Sequence, residues 1–275
     1  MEDYFFILPP DLTNVITSFI HDQSDLDNFT LSSKSLRYLQ WPLIHFYVFD
    51  GHYIPSMTYK EHSRILGIYS LIVKLSLDTT VDALNNEKIL KLSDNQLTSV
   101  PKEMGNLKNL RELYLNNNQL TNIPKEIGNL QNLRYLYLNN NQLTSIPKEI
   151  GNLQDLRHLH LNNNQLTNVP EEIETLQNLK ELYLNYNQLT DLPKEIGKLQ
   201  NLQTLNLDYN RLTDVPKEIG NLQNLRHLYL SYNLLPNVPK EVGNLQNLRH
   251  LSLGNNKLTS VPEEIRNIPN LNLII

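Results

Sequence analysis

The sequence predicts an α/β repeat solenoid that follows a small helical N-terminal segment. Three observations predict it: a 23-residue period, an alternation of apolar and polar residues where each period begins, and a proline in the second half of each period. Short alternation predicts a half-buried strand, and a proline prevents a regular helix from running through its position. A repeat unit of this size buries its apolar face only against its neighbours, so stacked units share one continuous core.

The period is set by a leucine that recurs every 23 residues, at Leu110, Leu133, Leu156, Leu179, Leu202, Leu225, Leu248 and Leu271. Glu87 stands one period before the first of these, so eight full repeats run from 87 to 270 and a C-terminal stub covers 271–275. The run IVKLSL at 72–77 has the same apolar spacing, but the next repeat begins only 15 residues after the run begins, instead of 23. We therefore expect a degenerate repeat at 72–86 and a solenoid over 72–275.

Within one repeat, the first half predicts a strand and the second half an irregular return. Leu110, Leu113 and Leu115 occupy positions 1, 4 and 6, and positions 4 and 6 alternate with polar neighbours. The later apolar residues are three or four apart, which favours a loose or 3₁₀-like segment because Pro124 excludes a long helix. Gly128 is expected to let the chain turn back.

Position 9 of every repeat is asparagine, at Asn95, Asn118, Asn141, Asn164, Asn187, Asn210, Asn233 and Asn256. An asparagine side chain carries a donor and an acceptor, so an inward-facing one can satisfy backbone groups at the turn. The alternative is an exposed ladder that binds a ligand. We expect the structural role, because the position does not vary between repeats.

These residues together carry a family resemblance. The pattern LxxLxLxxNxLTxIPxEIGxLxN, over residues 87–270, resembles the leucine-rich repeat family in its 23-residue form. The resemblance implies a curved horseshoe with a parallel sheet on its concave face and an irregular or 3₁₀ convex side. It also implies that the concave face binds another protein.

Positions 3 and 5 of each strand are expected to point outward, with position 8 at the strand's edge. The candidate protein-binding residues at these positions are aromatic or histidine: Tyr114, Tyr135, Tyr137, His158, His160, Tyr183, Tyr186, Tyr209, His227, Tyr229 and Tyr232. Tyrosine is favoured at interfaces because it is large and rigid and has a polar tip. The alternative is that the rings only stack across strands and stiffen the sheet.

A metal site on these strands is not expected. His158 and His160 share one strand face, and His227 and His250 occupy one column of adjacent repeats, so neighbouring imidazoles could approach each other. No carboxylate is expected in a matching column beside them. No phosphate-binding loop, zinc-protease helix or serine-hydrolase motif occurs, so neither an enzyme nor a cofactor is expected.

Composition excludes further classes of site and partner. The chain has no cysteine, which excludes a disulfide framework and a thiolate zinc site. The net charge of −5 gives no general attraction to nucleic acid, and we expect no nucleic-acid partner. No apolar run approaches the length of a membrane span, and we expect no membrane partner. We therefore expect an intracellular, cytoplasmic protein, located in the host cytoplasm if it is viral.

Residues 1–50 lack the period and are expected to form short helices. The segment resembles an F-box at Leu8-Pro9, Leu12, Ile16, Ile20, Asp25-Leu26, Leu31 and the SKSLRYL ending. The resemblance implies that Leu8, Pro9, Leu12 and Ile16 dock on the adaptor of a cullin-type ubiquitin ligase, while the repeats select the substrate. The alternative is a free-standing bacterial or viral protein-binding module whose N-terminal helices only cap the first coil. Residues 51–71 are expected to be a packed connector.

Overall fold

The structure, a computed structural model, describes residues 46–49, 52–55 and 81–275. It divides the chain into two compact units, Met1–Leu77 and Asp78–Ile275. Most of the helical segment predicted at 1–50, most of the connector at 51–71 and the first part of the degenerate repeat at 72–86 lie outside the described residues. The division into these segments therefore stays a prediction.

In the first unit, β1 (Phe46–Phe49) and β2 (His52–Pro55) pair antiparallel, with Phe49 opposite His52. Helices were expected up to residue 50, and this strand differs from that expectation. Its residues, FYVF, are aromatic and β-branched and so favour a strand. The sequence between the two strands is Asp-Gly, the strongest short hairpin signal, and sequence analysis overlooked it.

In the second unit, nine parallel strands form one open sheet in chain order. Each pairs with the strand one period away, so that Leu113 lies opposite Leu136. The strands are β3 (Ile89–Lys91), β4 (Glu112–Tyr114), β5 (Tyr135–Tyr137), β6 (His158–His160), β7 (Glu181–Tyr183), β8 (Thr204–Asn206), β9 (His227–Tyr229), β10 (His250–Ser252) and β11 (Asn272–Ile274). A register of one full period between all neighbours is the geometry of a solenoid.

The opposite side of the coils is built from short 3₁₀ helices, as the proline and the apolar spacing predicted. They span Lys102–Asn106, Lys125–Asn129, Lys148–Asn152, Glu171–Thr175, Lys194–Lys198, Lys217–Asn221 and Lys240–Asn244. Each begins directly after a proline, whose fixed φ suits the start of a helix and whose missing N–H is not needed there. The α-helix α1 (Val81–Asn86) precedes β3, the first strand of the parallel sheet, and α2 (Glu263–Arg266) lies in the last coil. No helix among the described residues is long and apolar enough to cross a membrane.

The core runs between the sheet and the 3₁₀ helices. Leu110, Leu113 and Leu115 are fully buried, as are their equivalents in the full repeats that follow, whereas the equivalents in the C-terminal stub are half-buried or exposed. The apolar residues of the return segment are buried too, including Ile127 and Leu130. The predicted core positions are therefore confirmed.

Gly128 is needed for a different reason from the one expected. Its φ is not in the left-handed region, so it does not serve the turn. A methyl group on its Cα would lie 2.2 Å from the backbone oxygen of Glu149 in the next coil. The glycine therefore permits close approach of successive coils. In one coil Glu174 takes the equivalent place, and its carboxylate pairs with Lys198 of the next coil.

Candidate functional site

The asparagine column lies inside the turn that follows each strand. Asn118, Asn141, Asn164, Asn187, Asn210 and Asn233 are buried, whereas Asn95 is exposed and Asn256 is half-buried. The Asn164 amide donates to the backbone oxygens of Leu138 and Leu161, at 3.0 Å each, and its Oδ1 accepts from the Leu143 N–H at 3.0 Å. These side chains thus bond backbone groups of two successive coils, and they offer little to a ligand.

The concave face is formed by the outer residues of each strand. In β4 to β9 the middle residue is buried and its two neighbours are half-exposed. All eleven candidate protein-binding residues lie on this sheet or at its edge. Two residues that sequence analysis left out, Glu112 and Glu181, also lie here, at position 3.

The rings at position 5 form a column of aromatic contacts over four strands. Tyr114 and Tyr137 stack with centroids 4.6 Å apart and planes at 11°. His160 follows at 4.7 Å from Tyr137 and lies 4.5 Å from Tyr183. The Tyr114 hydroxyl donates to Glu112 Oε2 at 2.8 Å, and this bond raises the pKa of Tyr114 to about 12. The column is therefore a rigid part of the face.

Three tyrosines at position 8 form a second stack, which we call the edge triad: Tyr186, Tyr209 and Tyr232. Their ring centroids lie 4.2 and 4.0 Å apart with nearly parallel planes. They are 46%, 37% and 44% exposed, so a part of each ring is open to solvent. No other large aromatic side chain among residues 83–275 is as exposed.

The backbone of the edge triad is left-handed, with φ of 56°, 54° and 57°. The same position is left-handed in the other full repeats, where it holds aspartate or asparagine: Asp94, Asn117, Asn140, Asn163 and Asn255. Asparagine and aspartate tolerate this conformation, whereas a bulky side chain in it is strained. Sequence analysis placed the three tyrosines at the sheet edge but had no means of detecting this strain.

A cluster of polar side chains lies between β6 and β7. His158 Nδ1 is 2.9 Å from Glu181 Oε2, and His160 Nε2 is 3.9 Å from the same oxygen. The expectation that no carboxylate lies in the histidine columns is therefore wrong. Glu181 follows His158 at position 3 and pairs with it in register, so counting each column in full would have found it. Burial lowers the pKa of His160, and the Glu181 charge partly offsets this.

The two later histidines do not join that cluster. The His227 ring lies 3.5 Å from the Thr204 hydroxyl, and His250 Nδ1 lies 3.1 Å from the Asn272 amide. Burial also lowers the pKa of His250, with the His227 ring as a second cause. The candidate adaptor-binding residues Leu8, Pro9, Leu12 and Ile16 lie outside the described residues.

Comparison with family models gives two matches. The model described as "Leucine-rich repeat region" matches residues 124–188 and 174–274, and the model described as "Leucine rich repeat" matches 85–143. No curated protein matches the chain. The matched span covers most of the solenoid unit, and no F-box model is among these matches.

Solved structures also resemble this chain. Internalin C2 of Listeria monocytogenes shares 26% identity over 76% of this chain and 92% of its own, with a TM-score of 0.64. The Toll–Spatzle complex of Drosophila shares 26% identity over 67% of this chain, with a TM-score of 0.61. The plant peptide hormone receptor RGFR1 in complex with RGF2 shares 34% identity over 64%, with a TM-score of 0.50. This chain covers only 26% and 33% of the latter two chains. Together with the open parallel sheet, these likenesses confirm the curved horseshoe.

Proposed function

Because the chain belongs to the leucine-rich repeat family, we propose that it is a non-enzymatic module whose concave face binds a protein partner. Members of the family generally act as protein-interaction modules, and the solved structures above fit that role. Two of them are complexes, one of a receptor with a peptide hormone and one of Toll with Spatzle. The hormone and Spatzle are partners of those proteins. For this chain they support only the class of ligand, which is a protein or peptide.

The edge triad is the single observation that carries the proposal. Three neighbouring coils hold exposed tyrosines at a left-handed position where the other full repeats hold asparagine or aspartate. A strained backbone persists only where the surrounding structure requires it or where function benefits, and such sites cluster at binding surfaces. Stiffening the sheet does not explain the triad, because the rings stand at the sheet edge and are half-exposed. Exposed, prearranged tyrosines are the residues that dominate protein interfaces.

The test is a triple substitution, Tyr186→Asn, Tyr209→Asn and Tyr232→Asn. Each installs the residue that the chain itself uses at this position, so the fold is retained. Proteins captured from lysate by the wild-type chain are compared with those captured by the variant, and a lost partner is then titrated in purified form. The matched control is Asn117→Ala with Asn140→Ala at the same position of two other coils. If every partner binds the triple variant as tightly as the wild type, the proposal fails.

We further propose that residues 1–50 act as an F-box and that the repeats recruit a substrate to a cullin-type ubiquitin ligase. The resemblance at Leu8-Pro9, Leu12 and Ile16 supports this. The role requires a eukaryotic cytoplasm, either of the source organism or of a host. In the alternative, the chain is a free-standing binder and the segment is only a cap, which solenoid ends need.

Binding of the full chain to a purified ligase adaptor separates the two. The double substitution Leu8→Ala and Ile16→Ala removes apolar contacts that the F-box role assigns to the adaptor. Asn14→Ala, on a polar residue of the same segment, is the matched control. Adaptor binding by the wild type and control but not by the double variant supports the F-box role. Absence of binding by the wild-type chain supports the cap.

A further inference from the structure

The cluster between β6 and β7 contains three metal-ligating groups on one face. His158 Nδ1, His160 Nε2 and a Glu181 carboxylate oxygen all lie within 4.8 Å of one another. No other such group occurs among the residues that the structure describes. Two imidazoles and one carboxylate are a common set of protein ligands for zinc at sites that keep a fourth position open.

The distances suit an ion of this size. Zinc binds nitrogen and oxygen ligands at about 2.0–2.2 Å, so tetrahedral neighbours lie about 3.3 Å apart. The Nδ1–Oε2 separation of 2.9 Å is slightly shorter than this, and the Nε2–Oε2 separation of 3.9 Å is slightly longer. A shift of about half an ångström in the Glu181 carboxylate would bring both separations near this value. The two ring nitrogens would also have to approach each other, since the three ligand atoms lie within 4.8 Å of one another. The ion would replace the proton that His158 and Glu181 share.

A second observation points to a missing ligand. His160 Nε2 is buried and makes no hydrogen bond within the described part of the chain. A buried polar atom without a partner is costly, and in native proteins it calls for an explanation such as a bound water or ion.

The rings are held in place before any ion binds. His158 stacks on Tyr135 with centroids 4.6 Å apart and planes at 9°. His160 is packed between Tyr137 and Tyr183. Such packing restricts the side-chain rotations that a flexible surface cluster would lose on binding. This is the prearrangement that a metal site requires.

We propose that His158, His160 and Glu181 bind one divalent transition-metal ion of the zinc type on the concave face. The fourth position faces solvent and is open to a water molecule or to a side chain of a bound protein. The site goes beyond the proposed protein-binding function, because metal binding is measured on the chain alone and does not require a partner.

Zinc titration of the full chain by calorimetry, without a histidine tag and after chelator treatment, tests the site. The ligands are replaced by the residues that other coils use at the same positions: His160→Tyr as in Tyr137 and Glu181→Thr as in Thr204. The matched control is His227→Tyr, which removes a histidine of the same column outside the cluster. We expect saturable binding of one ion by wild type and control. Each ligand variant should bind at least about tenfold more weakly, since even the loss of an outer partner costs about that much.

A second measurement avoids substitution altogether. In the wild-type chain, the imidazole NMR signals of His158 and His160 should shift on addition of zinc, while those of His227 and His250 stay in place. The proposal is overturned if the wild type shows no saturable binding, if His160→Tyr binds as tightly as the wild type, or if all four histidines respond alike.

Discussion

Replacement of Asn164 by alanine tests the account of how the coils are held together. Its Oδ1 accepts from the Leu143 N–H, and its amide donates to the oxygens of Leu138 and Leu161. Each of these oxygens has a second asparagine donor: Asn141 bonds Leu138 and Asn187 bonds Leu161. The substitution therefore leaves both oxygens with one partner. It leaves the Leu143 N–H with none within the described part of the chain.

The magnitude follows from that single lost partner. Leu143 is fully buried, so its N–H cannot bond to water in the folded state. Leaving a buried donor unsatisfied costs about 1–3 kcal/mol. The oxygens add little because they stay bonded. We therefore expect Asn164→Ala to lower the free energy of unfolding by about 2 kcal/mol, which urea denaturation at pH 7 measures as a lower midpoint at unchanged slope.

Asn95→Ala is the matched control, at the same position of the first full repeat. Asn95 is exposed, and its amide donates to the Ser93 oxygen at 2.8 Å. Surface substitutions of this kind change stability by at most about 0.5 kcal/mol. Equal midpoints for the Asn164→Ala and Asn95→Ala variants would refute the bonding account of the column.

Three further predictions use the same comparison between coils. Burial raises the pKa of Asp208 from 3.8 to about 6, although the hydrogen bond that it accepts from the Ser231 N–H acts in the opposite direction. The folded state therefore holds the Asp208 proton more tightly than the unfolded state. Stability due to this group is present below the unfolded pKa and is lost as pH rises towards the folded one. A pKa change of this size corresponds to about 3 kcal/mol, and solvent screening of a half-buried carboxyl reduces it to about 1 kcal/mol. Four other coils have asparagine at this position. The Asp208→Asn variant should therefore be more stable than the wild type at pH 7.5 but not at about pH 3.5. A stability difference that does not depend on pH would contradict this. Gly128→Ala should lower the stability of the folded chain by about 1–3 kcal/mol through overpacking. The control Gly254→Ala should be near neutral, because its new methyl would lie 3.7 Å from its nearest neighbours. Equal thermal midpoints for the two variants would exclude the close-approach account. Tyr232→Asn relieves backbone strain but removes one stacked ring pair, and these two contributions to the free energy of unfolding offset to within about 1 kcal/mol. A large loss of stability in chemical denaturation would mean that the triad serves stability.

The repeat part of the fold was predictable because the apolar pattern of each repeat marks the residues that form its core. Apolar alternation marks the strands, and Pro124 with its equivalents marks where the 3₁₀ helices begin. Both signals are local in sequence, and repetition multiplies them. The signal for the hairpin of β1 and β2 is just as local, with its Asp-Gly turn, but it lies outside the repeats, at the end of a segment whose apolar spacing predicts helices.

The unpredicted features depend on contacts between coils. Gly128 is required because the backbone oxygen of Glu149, 21 positions later in the chain, lies beside its Cα. In the sequence alone, a glycine suggests a turn as readily as a close approach. Glu181 joins His158 and His160 across a register of one full period, and only a count of position 3 in every coil would have shown it in the sequence. The strain of the edge triad is a property of the backbone, which the Asn residues of the other coils indicate only after the left-handed φ is known.

Near-identical coils make departures from the common pattern informative. The consensus residue at each position already satisfies the needs of the fold, as Asn117 does at the left-handed position and Tyr137 does in the position 5 column. A departure such as Tyr209 or His160 therefore adds strain or an unpaired polar atom that stability does not require. Both kinds of departure fall on the sheet side, within residues 158–232, whereas the buried leucines of the same coils hardly vary. This part of the concave face is where the chain differs most from a mere stack of repeats, and it is where a partner and an ion would be recognised.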